Sequence, residues 1–145
     1  MVDLSRLKPG LKAENDLIVA NEHTAPHVGS GVVRVLATPV MINMFEAASL
    51  AAVEKYLPEG YQTVGTHLDV RHFAATPVSM GVHAESELIA VEGNTLRFRL
   101  AARDDREPIG DGIHERVVIK LGRFDERMAE KLASAKPSFT LPRVG

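Results

Sequence analysis

Three polar residues could carry out acid–base or nucleophilic chemistry within apolar stretches of the chain. Thr38 directly precedes Pro39, Glu46 lies inside the apolar run VMINMFEAASLAAV, and His72 lies on an alternating segment that begins at Val64. A hydroxyl beside a base can be a nucleophile, a carboxylate can be a general base or acid, and an imidazole transfers protons near neutral pH. Thr38, Glu46 and His72 are therefore candidate catalytic residues.

Each candidate also has a purely structural interpretation, and both interpretations stay open at this point. Threonine before proline is typical of a helix N-cap. A glutamate in an apolar helix can lie on a solvated stripe or pair with an arginine, and an inward histidine is often a hydrogen-bonded core residue. The position of Thr38 at a helix start could also serve catalysis, because the free N–H groups and the positive end of the helix dipole could hold an anionic intermediate.

The helix that must position Thr38 and Glu46 is the clearest element of the sequence. It is expected to run from Thr38 to about Tyr56 and to stop at the segment LPEG, residues 57–60. Apolar residues occupy nearly every face, which predicts a helix buried in a core. With Asn43 and Glu46 inside, its apolar part is shorter than the roughly 18 residues that indicate a membrane span.

His72 must be positioned by a strand, because the pattern after the helix alternates with a period of two. Val64, Thr66, Leu68, Val70 and His72 are expected on one face, with Gly65 on the opposite face. Further alternation predicts a first strand at 13–20 and later strands at 82–88, 96–103 and 112–121, with turns at 92–94 and 104–111. A short polar helix is expected at 125–133, and the first ten residues and the tail 136–145 are expected to be loosely held.

One buried helix followed by strands joined through tight turns indicates an α+β fold in which an antiparallel meander wraps the helix. The length of 145 residues fits a single domain, 1–145, with its core at about 10–125 and the polar helix and tail after it. No internal repeat or domain boundary is visible.

Composition and motifs exclude several classes of site. Because cysteine is absent, disulfides and thiolate metal sites are excluded. The net charge of −2 excludes a global basic field that would favour nucleic acid. The six histidines have no metal-binding helical spacing, and Arg97, Arg99 and Arg103 fit a solvated strand face, so neither a metal nor a nucleic-acid partner is expected. No signal peptide or membrane span is visible, which favours a cytoplasmic protein.

Four segments together resemble the fluoroacetyl-CoA thioesterase family. They are ATPVMINMFEAA (37–48), VGTHLDVRHFAATP (64–77), VEGNTLRFR (91–99) and IGDGIHERVVI (109–119). The resemblance runs from about Gly10 to Asp125. It implies the hotdog fold, a curved antiparallel β-sheet wrapped around one long central helix, and an acyl-CoA thioesterase whose active sites lie at a homodimer interface.

The resemblance also implies roles for individual residues. The family's catalytic threonine, glutamate and histidine fall on Thr38, Glu46 and His72, and its substrate-binding positions fall on Gly65 and Arg116. Gly65 suits this role because a missing side chain lets a thioester approach the backbone. Arg116 alternates with apolar Val117 and Ile119, so a solvent-facing arginine is an equal alternative. Coenzyme A enters as part of the substrate, with no separate cofactor.

The segment VGSGVVRVLA, residues 28–37, contains no aromatic residue. In the fluoroacetyl-specific member, phenylalanines before the catalytic threonine close over the acyl group. A small or unrelated acyl group is therefore expected in place of fluoroacetyl. Two alternatives stay open. One is a non-enzymatic module that binds an acyl thioester or an interaction partner, and the other is a hotdog acyl-CoA hydratase or dehydratase. Whether dimers pair further into tetramers is also open.

One distance follows from helical geometry. Eight residues of α-helix rise about 12 Å, so Thr38 and Glu46 of the same chain are not expected to touch. Either substrate and water lie between them, or the working pair comes from two subunits.

Overall fold

A computed structural model of the chain describes residues 2–136. The strands are β1 (Lys12–Ile18), β2 (Tyr61–His72), β3 (Gly81–Glu92), β4 (Thr95–Asp104) and β5 (Pro108–Lys120). The α-helices are α1 (Ala25–Val28), α2 (Thr38–Val53) and α3 (Leu121–Ser134), and 3₁₀ turns cover Asn21–His23 and Glu54–Tyr56. The predicted α+β class is confirmed, and the helix predicted from Thr38 to Tyr56 is α2 plus the 3₁₀ turn that follows it.

The five strands form one antiparallel sheet in the order β1-β3-β4-β5-β2, so β1 and β2 are its edges. Helix α2 packs mainly against β1 and β3 and less against β2 and β4. Its fully buried side chains include Met41 and Phe45, and burying each such side chain contributes about 1.5–3 kcal/mol to folding. The uneven packing leaves the side of α2 that faces β2 less covered.

Several predicted boundaries were wrong. The last strand begins at Pro108, so the turn after β4 is shorter than the predicted 104–111, and the C-terminal helix begins at Leu121. The N-terminal segment is held by Leu7, which is 4% exposed, so the core begins before residue 10. The segment between β1 and α2, for which no element was predicted, contains α1. Of the predicted loose tail, residues 137–145 lie outside the described part of the chain.

A β-bulge in β2 corrects the predicted alternation. The pairing of β2 with β5 shifts register between Gly65 and His67. Because one extra residue reverses which face the following side chains occupy, Gly65 lies on the same face as Leu68 and His72, toward α2. Val64, predicted on that face, lies on the other one.

Neither α2 nor any other helix within residues 2–136 combines the length and the apolar character that crossing a bilayer requires.

Candidate active site

The hydroxyl of Thr38 forms a hydrogen bond with a histidine in place of capping α2. Thr38 is the first residue of α2, the N-cap is Ala37, and no side chain caps the helix start. The Thr38 Oγ1 atom lies 2.7 Å from Nδ1 of His72, 34 residues along the chain. The N-cap interpretation was therefore wrong, and the hydroxyl and the imidazole lie at the distance that a nucleophile and its general base require.

His72 is half-buried at the end of β2, and burial lowers the pKa of its imidazole. The ring is therefore neutral at pH 7, which leaves one nitrogen able to accept a proton. Its Nε2 atom is buried and finds no hydrogen-bonding partner among the described residues. With the Thr38 hydroxyl donating to Nδ1, the ring proton lies on Nε2.

Glu46 belongs to a second polar group, one that surrounds Gly65. The carboxylate oxygen Oε2 of Glu46 lies 3.5 Å from Nη1 of Arg116, and the Glu46 side chain is 41% exposed. A Cβ atom on Gly65 would lie 3.0 Å from this Glu46 oxygen and 3.4 Å from the Arg116 nitrogen. The missing side chain therefore keeps space open directly in front of the carboxylate.

Arg116 is buried, with 7% of its surface exposed, so the alternative of a solvent-facing arginine was wrong. Its Nε donates to Thr63 Oγ1 at 2.8 Å, and its Nη2 donates to the Thr63 carbonyl oxygen at 3.2 Å. Its Nη1 lies 3.3 Å from Nε2 of His114. Sequence analysis missed both Thr63 and His114 as members of this group.

The five predicted site residues thus form two groups in one chain, Thr38 with His72 and Glu46 with Gly65 and Arg116. Within residues 2–136 no hydrogen bond joins Thr38 to Glu46, as the helical rise predicted. Both groups lie along β2, since Gly65 is in one and His72 is in the other.

An apolar groove of about 370 Å³ opens beside Thr38 and His72. Its lining includes Val32, Val33 and Phe73, which are 93%, 65% and 51% exposed. Among the described residues that line it there is no aspartate, glutamate, lysine or arginine. The groove therefore suits a short uncharged group held next to the Thr38 hydroxyl.

A separate cluster lies away from α2, on β1 and β3. The ligand atoms of Glu14, His83 and Glu85 lie within 4.8 Å of one another. The Asp16 carboxylate, hydrogen-bonded to Nδ1, raises the pKa of His83. This favours the imidazolium, whereas a metal ligand must be the neutral imidazole. The cluster is best described as exposed ion pairs, and the absence of a metal from this protein stays a prediction.

Comparison with known proteins identifies the family. The family model described as fluoroacetyl-CoA-specific thioesterase matches residues 19–121. The curated fluoroacetyl-CoA thioesterase of Streptantibioticus cattleyicolor is 34% identical over 131 residues, which is 86% of this chain and 94% of the relative. The solved structure of the fluoroacetyl-CoA thioesterase FlK matches with a TM-score of 0.80 and 34% identity, over 86% of this chain and 97% of that one.

More distant structures confirm the predicted hotdog fold. A thioesterase superfamily member from Thermus thermophilus matches with a TM-score of 0.80 and 25% identity, over 88% of this chain and 97% of that one. A hot-dog-like protein from Thermanaerovibrio acidaminovorans matches with a TM-score of 0.81 and 21% identity, over 88% of this chain and 94% of that one, which supports the fold alone. The chain belongs to the fluoroacetyl-CoA-specific thioesterase family and is a thioester hydrolase of the hotdog fold.

Proposed function

We propose that this thioesterase hydrolyses acyl-CoA thioesters with a short, uncharged acyl group, which binds in the groove beside Thr38. The observation that carries the proposal is the 2.7 Å contact between Thr38 Oγ1 and a neutral His72. The small volume and uncharged lining of the groove support a short aliphatic acyl group. Coenzyme A is the leaving group, and no further cofactor is needed.

The chemistry that fits this arrangement is acyl transfer in two steps. In the first, Thr38 Oγ1 attacks the thioester carbonyl, His72 Nδ1 takes the hydroxyl proton, and the C–S bond breaks. The proton then passes to the departing thiolate, which leaves as coenzyme A. In the second step Glu46 takes a proton from water, and the resulting hydroxide attacks the carbonyl carbon of the acyl-threonine. The bond between that carbon and Thr38 Oγ1 then breaks, the carboxylic acid leaves, and the proton on Glu46 is returned to Thr38 Oγ1. Together the two steps consume one water.

A second copy of the chain completes this site in our proposal. Strand β2 is a twelve-residue sheet edge, and an unpaired edge of this length is suited to pairing with another strand. Antiparallel pairing of β2 with its copy, centred near Leu68 and Asp69, brings Gly65 of one chain opposite His72 of the other. The Glu46 group of one protomer then faces the Thr38–His72 pair of its partner, in a homodimer with two equivalent sites.

The proposed activity is tested by measuring thiol release from a panel of acyl-CoAs. We expect turnover of acetyl-, propionyl- or butyryl-CoA and at least tenfold lower kcat/KM for succinyl- and malonyl-CoA, because an unpaired carboxylate in an apolar groove costs roughly 1.4 kcal/mol or more. Fluoroacetyl-CoA is included as a reference substrate, because the curated relative is named for its hydrolysis. If no acyl-CoA releases thiol, a binding module is favoured. Hydration of an enoyl-CoA with the thioester intact would favour the hydratase.

The shared site is tested by mixing two inactive variants, Thr38→Ala and Glu46→Gln. After random subunit exchange half of the dimers are mixed, and each mixed dimer holds one intact site, so about a quarter of the wild-type rate is expected to return. Sites built within a single chain would each keep one defect and recover nothing. Native mass spectrometry confirms that mixed dimers are present. Each variant alone is the control.

A further inference from the structure

His114 is a fully buried histidine that the proposed reaction does not use directly. It lies on β5 and faces α2, with its ring centroid 6.0 Å from that of Phe98 on β4. Its Nδ1 atom lies 2.7 Å from the carbonyl oxygen of His67. Because a carbonyl oxygen can only accept, Nδ1 must carry a proton and donate it.

This hydrogen bond determines what the other nitrogen can do. In a neutral imidazole with a proton on Nδ1, Nε2 has a free lone pair. Nε2 lies 3.3 Å from Nη1 of Arg116, which is always a donor, so His114 accepts a hydrogen bond from the guanidinium. A protonated His114 would place an N–H against the guanidinium cation instead.

Three charged or titratable groups face the ring of His114, and their effects on its pKa have opposite signs. They are Arg116 on β5, Glu46 on α2 and His67 on β2, while β4 contributes the uncharged ring of Phe98. Burial lowers the pKa of His114, and this outweighs the His67 carbonyl and the Glu46 carboxylate, which raise it. His114 is therefore an acceptor for Arg116 at neutral pH.

The guanidinium of Arg116 is planar, so contacts on several edges fix its orientation. Thr63 accepts from Nε and Nη2, and His114 accepts from Nη1. The same Nη1 lies 3.5 Å from the Glu46 carboxylate. With His114 removed, only the Thr63 side of the guanidinium stays held, and the edge that contacts Glu46 is free to tilt.

We propose that His114 is a positioning residue that holds Arg116 in place and, through it, orients the Glu46 carboxylate toward the space in front of Gly65. This inference rests on the proposed role of Glu46 in the thioesterase reaction. His114 itself touches neither substrate nor water in this scheme, and it acts only as a hydrogen-bond acceptor.

The test replaces His114 by Phe and by Gln. His114→Phe keeps the ring volume but removes the acceptor, and a displacement of about 1 Å at a reacting group costs about 10²-fold in rate. We expect kcat for the best acyl-CoA to fall by about this factor with KM changed less than about twofold, while His114→Gln, whose amide oxygen can accept from Arg116, regains most of kcat. His27→Phe, at an exposed histidine in α1, is the matched control and keeps full activity.

The double variant His114→Phe/Glu46→Gln separates positioning from general damage to the fold. If His114 acts through Glu46, adding His114→Phe to Glu46→Gln lowers the residual rate no further, whereas independent effects multiply. Should His114→Phe fail to fold, as judged by circular dichroism, Thr63→Val removes another acceptor of Arg116 and is expected to lower kcat in the same way.

The outcomes distinguish this inference from the proposed function. A wild-type protein that hydrolyses an acyl-CoA, with His114→Phe folded and fully active, overturns the positioning role and leaves the function standing. Multiplying effects in the double variant also overturn it. A wild-type protein that hydrolyses none of the acyl-CoAs overturns both.

Discussion

The variant Glu46→Gln is expected to lower kcat by about 10²–10⁴-fold, because the amide cannot take the proton from the water that hydrolyses the acyl-enzyme in the proposed mechanism. Gln retains the size of the side chain and its place beside Arg116, so the fold and the proposed dimer are expected to persist. Thr38 can still attack in this variant. A single burst of thiol per site should therefore precede the slow steady rate, and intact-protein mass spectrometry should detect an acyl group on Thr38.

The matched control is Glu59→Gln, at an exposed glutamate in the turn after α2. It removes the same charge from the surface and is expected to keep the wild-type rate. Full activity of Glu46→Gln would contradict the proposed role of Glu46. A fall in rate with no burst and no acyl adduct would contradict the covalent route and favour direct attack by water.

The variant Gly112→Ala is expected to have the largest effect on stability. A Cβ atom at Gly112 would overlap the carbonyl oxygen of Asp69 and would lie 2.8 Å from the Cα atom of Val70, both on the paired strand β2. Backbone atoms of a paired strand cannot move aside without breaking the pairing. We expect a loss of about 3 kcal/mol, and a melting temperature lower by roughly 10 °C.

Because β2 is also the strand through which the proposed dimer forms, Gly112→Ala is expected to weaken dimerisation and activity together. Gly122→Ala is the matched control, since no atom lies within 4 Å of a Cβ at that position of α3. Alanine is the better helix former, so this variant should melt at the wild-type temperature or slightly above it. Thermal unfolding and analytical ultracentrifugation measure both effects. An unchanged melting temperature for Gly112→Ala would contradict the close approach of β2 and β5.

Local sequence signals predicted most of the fold correctly. Helix α2 was predicted because Pro39 marks its first turn, apolar residues fill its faces, and Pro58 and Gly60 follow its end. The strands after it were predicted because their alternation and turns are properties of neighbouring residues. Their boundaries were less accurate. The start of β5 was placed too late because Asp111 and the glycines around it suggest a turn, whereas in the structure these residues pair with β2.

The bulge after Gly65 shows where local pattern fails. Alternation alone assigned Gly65 and His72 to opposite faces, because a single extra residue leaves no clear mark in the sequence. The bulge exists in the pairing of β2 with β5, so only the partner strand reveals it. The same limit applies to Arg116 and His114. Both faces of β5 carry apolar residues, and nothing in the strand itself says which face meets α2.

The sequence by itself determined the architecture and the residue types that are available for chemistry. These are Thr38 at a helix start, Glu46 within an apolar helix and His72 on a strand. Tertiary structure alone decided their partners. The Thr38 hydroxyl forms a hydrogen bond with His72 and does not cap the helix, and Glu46 lies beside a buried Arg116. Both contacts join residues far apart in the chain, and their geometry depends on strand register and on helix placement, which no local pattern encodes.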